Sequence, residues 1–149
     1  GDMRPRLARQ SDVDALWSHI DTTIDCIASD HAPHTLAEKQ RQENPPPGVP
    51  GLESTLPLLL TAAADGRLRY ERLVELLSTN PRRIYSLPAQ PATWVEVDLL
   101  DKYQFPDHPL YTKCGWSPFS GASLTGRILK VVYRGKEVFS EGIVHALVQ

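Results

Sequence analysis

The sequence predicts an α/β chain up to about residue 88 and an all-β segment beyond it. Three observations predict this. An amphipathic helix over residues 12–20 leads into a short apolar, β-branched stretch at 24–29, the αβ half of a parallel repeat. A strongly apolar helix follows at 52–64. After Pro88 the pattern changes to period-two alternation with a two-residue turn signal.

Ser11 and Asp14 read as a capping box, with Ser11 as the N-cap. Val13, Leu16, Trp17 and Ile20 then recur at helical spacing on one face. The segment 24–29 reads as a buried strand. Residues 31–51 are mostly loop and end in Asn44-Pro45-Pro46-Pro47-Gly48-Val49-Pro50-Gly51; the triple proline removes backbone donors and leaves carbonyls free to face a ligand. The helix at 52–64 carries Pro57 in its first turn or as a kink, and Gly66 closes it. An amphipathic helix at 70–77 presents Leu73, Val74, Leu76 and Leu77, and Asn80-Pro81 begins a further turn running to about residue 87. Strands are predicted at 94–98, 127–133 and 136–139, the last two joined by Arg134-Gly135, with one more at 143–148.

Composition excludes several classes. The 16 Lys and Arg are outnumbered by 18 Asp and Glu, which argues against a nucleic-acid footprint. The longest apolar run, at 56–64, is too short to span a membrane and contains Pro57. Cys26 and Cys114 cannot form a disulfide framework and fit a reducing compartment, so a cytoplasmic location is expected. Gly1-Asp2-Met3-Arg4 shows neither a signal peptide nor an initiator methionine, which predicts a chain that starts within a longer one.

The densest cluster of reactive groups is Asp30-His31-Ala32-Pro33-His34. Asp30 directly follows the predicted parallel strand, and ligands of parallel α/β folds bind at the carboxyl ends of strands. In one reading Asp30 caps a turn and both histidines are solvated loop residues. In the other, Asp30 binds a divalent metal and shuttles a proton, while His34 and Arg4 hold the carboxylates of an anionic substrate. A catalytic zinc needs at least three protein ligands, and the chain has neither His-x-His nor His-Glu-x-x-His. Cys26 reads as a small core residue, Cys114 as an improbable nucleophile, and His19, His108 and His145 carry no assigned chemistry.

The run Asp25-Cys26-Ile27-Ala28-Ser29-Asp30-His31-Ala32-Pro33-His34-Thr35-Leu36-Ala37-Glu38-Lys39 resembles the signature of dihydroorotase, in the form found in the animal multifunctional protein of pyrimidine synthesis. Arg4-Pro5, the segment from Pro45 to Glu53, Asn80-Pro81-Arg82-Arg83-Ile84 and the tail from Trp116 through Gly135 agree with it in order. The resemblance implies the C-terminal part of a (β/α)8 barrel metal-dependent hydrolase over residues 1–88 and a small β-sandwich segment over 89–149. It further implies that Asp30 is a metal-binding aspartate acting as general base and acid, and that Arg4, His34 and the backbone of Pro47 bind substrate. The cofactor would be a zinc pair. The reaction would be reversible cyclisation of N-carbamoyl-L-aspartate to L-dihydroorotate. Flanking carbamoyl-phosphate synthetase and aspartate transcarbamoylase domains and a homo-oligomer are the implied partners, with neither nucleic acid nor membrane among them.

One departure from the family pattern is large. The upstream metal ligands are missing, and a barrel takes about 250 residues. The expectation is therefore a fragment that is inactive alone. Two other readings stand beside it: a catalytically silent dihydroorotase-like scaffold, and another cyclic-amide hydrolase of the hydantoinase or allantoinase type.

Overall fold

The computed structural model describes residues 3–145, so the last three positions of the strand expected at 143–148 lie outside the described residues. Helix α1 spans Gln10–Ser18, α2 Leu36–Lys39, α3 Leu52–Ala64, α4 Tyr70–Val74 and α5 Asn80–Ile84, with one π turn at Glu75–Thr79 between the last two. Strands β1 (Trp94–Phe105), β2 (Ala122–Tyr133), β3 (Lys136–Ser140) and β4 (Ile143–Val144) form one antiparallel sheet in that order. The expected β half is present, whereas the described residues before it carry helices and no strand. The described residues form a single sheet, without the second layer of a sandwich.

Helix α1 starts two residues earlier than its sequence suggests. Arg9 is the N-cap, and the Asp12 carboxylate accepts its backbone N–H at 3.0 Å. Asp14 instead accepts from the Gln10 side chain at 2.8 Å. A carboxylate three residues after the cap reaches back to it, and Asp12 fits that geometry where Asp14 cannot. Of the predicted apolar face, Ile20 is buried and Val13 and Trp17 are half-buried, whereas Leu16 is exposed.

Helix α3 anchors the core. Leu59, Leu60, Ala62 and Ala63 pack with Ile20, Leu68, Leu73 and Leu76. Pro57 lies inside this helix rather than in its first turn. At its end Gly66 N–H donates to the Ala63 carbonyl at 3.0 Å and Arg67 N–H to that of Ala62 at 2.9 Å, the paired closure of a Schellman motif. Helix α3 also carries the sheet. The Thr61 hydroxyl accepts from Thr125 N–H of β2 at 2.9 Å, and Gly126 comes so close that an added Cβ would stand 2.7 Å from Leu60 Cβ. Gly126 adopts φ +102°, which a side chain would strain as well.

No ladder forms at 24–29, where a buried parallel strand was expected. A strand is defined by its neighbour, and among the described residues none lies beside this segment. Its backbone is held by the helical run 70–84 instead. Arg72, itself buried, donates through Nε to the Ile20 carbonyl at 2.9 Å and through Nη2 to that of Ile24 at 2.6 Å. Asn80 Nδ2 donates to the Asp25 carbonyl at 2.9 Å. The π turn supplies a third bond to residues 24–29. Asn80 N–H donates to Glu75 rather than to Leu76, and Pro81 has no N–H, so the Leu76 carbonyl is left to accept Ile27 N–H at 3.2 Å.

The hairpin signal at Arg134-Gly135 is borne out. Both residues have positive φ, +51° and +78°, as a type I′ turn between β2 and β3 requires. Strand β1 extends well past the predicted 94–98, with register shifts after Glu96 and between Asp98 and Lys102.

Candidate functional site

Asp30 emerges from the Arg72- and Asn80-held segment in the left-handed region at φ +45°, with its side chain exposed. Asp is among the residues that tolerate this conformation, but it still needs flanking contacts to hold it. These come from the loop preceding α3. Ala32 N–H donates to the Val49 carbonyl at 3.1 Å. Gly48, at φ +105°, lies so close to Ala32 that a Cβ there would meet the Ala32 Cβ at 2.6 Å. His31 turns its ring back onto α3, and its Nδ1 accepts the N–H groups of Gly51 at 3.0 Å and Leu52 at 3.2 Å.

The structure therefore brings the 29–34 segment against the loop that contains Pro47, which is half-buried next to Gly48. His34 is half-buried in the same cluster. Its Nδ1 lies 3.9 Å from the Glu38 carboxylate, and its carbonyl accepts the Trp116 indole N–H at 2.7 Å. Arg4 is exposed in the segment ahead of α1. The proline loop does not leave every carbonyl open to a ligand, because that of Pro46 accepts Lys39 Nζ at 2.8 Å.

Several residues of this cluster escaped sequence reasoning. Thr35 and Glu38 close a capping box on α2, a Thr-x-x-Glu pattern that was readable in the sequence. The Thr35 amide, and then its hydroxyl, hold the Glu38 carboxyl below the usual carboxylate range, with the His34 charge contributing less. Glu38 is thus an anion beside the residue expected to bind one. Glu53 accepts the N–H groups of Tyr111 at 3.0 Å and Thr112 at 2.6 Å, fastening the loop between β1 and β2 to α3. Neither Glu53 nor Trp116 carried a local signal, since their partners lie 58 or more residues away.

Asp30 alone does not make a zinc site. Among the described residues no three His, Cys, Asp or Glu side chains are grouped closely enough to hold a metal ion, whereas a catalytic zinc has three protein ligands. A cavity of about 1310 Å³ lies elsewhere, against the sheet, and is lined by Tyr103, Arg127, Tyr111 and Phe139 among others. Arg127 stacks 4.2 Å over the Tyr103 ring and is paired with Asp101 and Asp107, so its charge is already offset. Burial pushes the Tyr103 phenol up, with Arg127 opposing. No described helix is long and apolar enough to cross a membrane.

No family model matches the chain. It is 50% identical over 145 residues to "Multifunctional protein pyr1-3" of Dictyostelium discoideum and 49% identical over 144 residues to "Multifunctional protein CAD" of Squalus acanthias, in each case across 97% of the chain and 6% of the relative. It is 36% identical to the dihydroorotase of Pyrococcus furiosus over 92% of the chain, spanning 34% of that enzyme. Among solved structures, an inactive dihydroorotase-like domain of a Chaetomium thermophilum multifunctional protein superposes with a TM-score of 0.76 at 30% identity, covering 95% of this chain and 40% of that one. An L-hydantoinase of Arthrobacter aurescens superposes with a TM-score of 0.85 at 26% identity, covering 97% of this chain and 35% of that one. The resemblance drawn from the Asp30–His34 motif is borne out along nearly the whole chain.

Proposed function

We infer that this chain, similar to dihydroorotases along nearly its whole length, supplies part of the active site of a dihydroorotase in a multifunctional protein of pyrimidine synthesis. The observation that carries this reading is the 36% identity to an enzyme named dihydroorotase across 92% of the chain, a span that includes most of the Asp30 cluster's supporting elements. Residues 1–88 would contribute the last units of a barrel and residues 89–149 a β-rich closing segment.

The reaction is reversible cyclisation of N-carbamoyl-L-aspartate to L-dihydroorotate with loss of water. In the hydrolytic direction Asp30 takes a proton from the attacking water and delivers it to the departing ring nitrogen; cyclisation reverses both transfers. Arg4 and His34 hold the substrate carboxylates, Arg4 by a two-pronged grip, and the backbone beside Pro47 lines the substrate. A zinc pair would take Asp30 as one ligand and its remaining ligands from the rest of the complete protein. Carbamoyl-phosphate synthetase and aspartate transcarbamoylase domains would flank this one in a cytoplasmic homo-oligomer.

A second reading, a silent dihydroorotase-like scaffold, is favoured by the likeness to a solved inactive domain. Retention of Asp30, His34 and Arg4 favours the active reading. The test is a carbamoyl-aspartate cyclisation assay with zinc analysis, on the complete protein and on the 149-residue chain. Turnover and bound zinc are expected in the complete protein, and neither in the chain alone, because one carboxylate cannot hold zinc against water. A complete protein that binds no zinc and turns over no substrate would favour the scaffold; turnover of hydantoins in preference to dihydroorotate would favour a hydantoinase.

A further inference from the structure

We propose that His31 is a positioning residue for Asp30. Its Nδ1 accepts two backbone N–H groups at the start of α3 and so fixes the left-handed backbone that presents the Asp30 carboxylate. The catalytic side of this inference rests on the dihydroorotase reading; the structural side does not.

The first turn of a helix leaves backbone N–H groups without intrahelical partners. In α3 the N-cap is Gly51, which has no side chain to satisfy them. The acceptor instead comes from His31, 20 residues upstream, reaching Gly51 at 3.0 Å and Leu52 at 3.2 Å. For Nδ1 to accept both, the ring must be neutral with its proton on Nε2.

Two further contacts pin the same strip of backbone. Ala32 N–H donates to Val49 at 3.1 Å, and Gly51 approaches Ser29 so closely that a Cβ would meet the Ser29 carbonyl oxygen at 3.0 Å. Ser29, His31 and Ala32 are thus each seated against residues 48–52, and Asp30 projects from between them at φ +45°. A non-glycine residue keeps such a conformation when its surroundings over-determine it. Without the His31 side chain, only the Ala32–Val49 bond and the Ser29–Gly51 approach would hold the backbone beside Asp30.

The experiment compares His31→Leu, His31→Asn and Asp30→Ala in the complete protein, reading hydrogen exchange of peptides covering residues 29–32 and 50–53 together with steady-state kinetics. Asparagine places its Oδ1 where Nδ1 stood, whereas leucine fills similar space without an acceptor. In His31→Leu, exchange should rise about tenfold in both peptides, and kcat should fall on the order of 100-fold with KM changed far less, the scale set by a misplaced catalytic group. His31→Asn should recover most of the protection and of kcat. Unchanged exchange in His31→Leu would overturn the clamp. Raised exchange with wild-type kcat, in a protein that Asp30→Ala inactivates, would overturn the positioning role. If wild-type protein is inactive, the exchange pattern still upholds or overturns the clamp, and it is the dihydroorotase reading that fails.

Discussion

The Trp116 indole N–H donates to the main-chain carbonyl of His34 at 2.7 Å, joining the loop before β2 to the loop after Asp30 across 82 residues of sequence. The β half therefore helps to shape the loop cluster directly. Glu53 strengthens the same connection by accepting Tyr111 and Thr112 N–H groups from the α3 side.

Trp116→Phe removes this bond while keeping most of the ring volume. A typical intramolecular hydrogen bond contributes about 1 kcal/mol net. In the complete protein, KM for dihydroorotate should rise more than kcat falls if His34 holds a substrate carboxylate, as proposed, rather than moving a proton. Equal loss in both parameters, measured by steady-state kinetics, would contradict that division of labour.

Asp30→Ala should reduce turnover in both directions by about 10²–10⁴-fold, the usual contribution of general acid–base catalysis, without loss of fold. His34→Ala and Arg4→Ala should lower kcat/KM while leaving zinc content unchanged. Kinetics and metal analysis on the same preparations check both; a fall in zinc on losing His34 or Arg4 would assign those residues differently.

Arg72→Leu should be the most damaging of the structural substitutions. It leaves the Ile20 and Ile24 carbonyls without their donor in a buried setting. Each unsatisfied buried group costs about 1–3 kcal/mol, so a loss of roughly 3 kcal/mol is expected in urea unfolding of the complete protein. Because those carbonyls precede Asp30, activity should fall in parallel with stability.

Gly126→Ala should destabilise the contact of α3 with β2. The new methyl group would stand 2.7 Å from Leu60 Cβ on a backbone at φ +102°. Backbone strain and overpacking each cost about 1–3 kcal/mol. A thermal midpoint within one degree of wild type would show that α3 and the sheet can move apart at little cost.

Much was legible in the sequence because it rests on local rules. The helix at 52–64, its glycine closure and the Arg134-Gly135 hairpin depend on propensity, period and turn chemistry within a few residues. The Asp30-His31-Ala32-Pro33-His34 motif marked the loop cluster from residue identity alone. The tertiary structure decided whatever depends on a distant partner. Residues 24–29 look like a strand by composition, yet strand pairing belongs to two segments, and here the Arg72, Leu76 and Asn80 groups take the place of a ladder. Likewise His31 reads as a solvated loop histidine until Gly51 and Leu52, 20 and 21 residues away, bring their N–H groups to its ring. Pattern fixes what a residue prefers to be. Only the folded chain places the donors and acceptors that decide which preference is met.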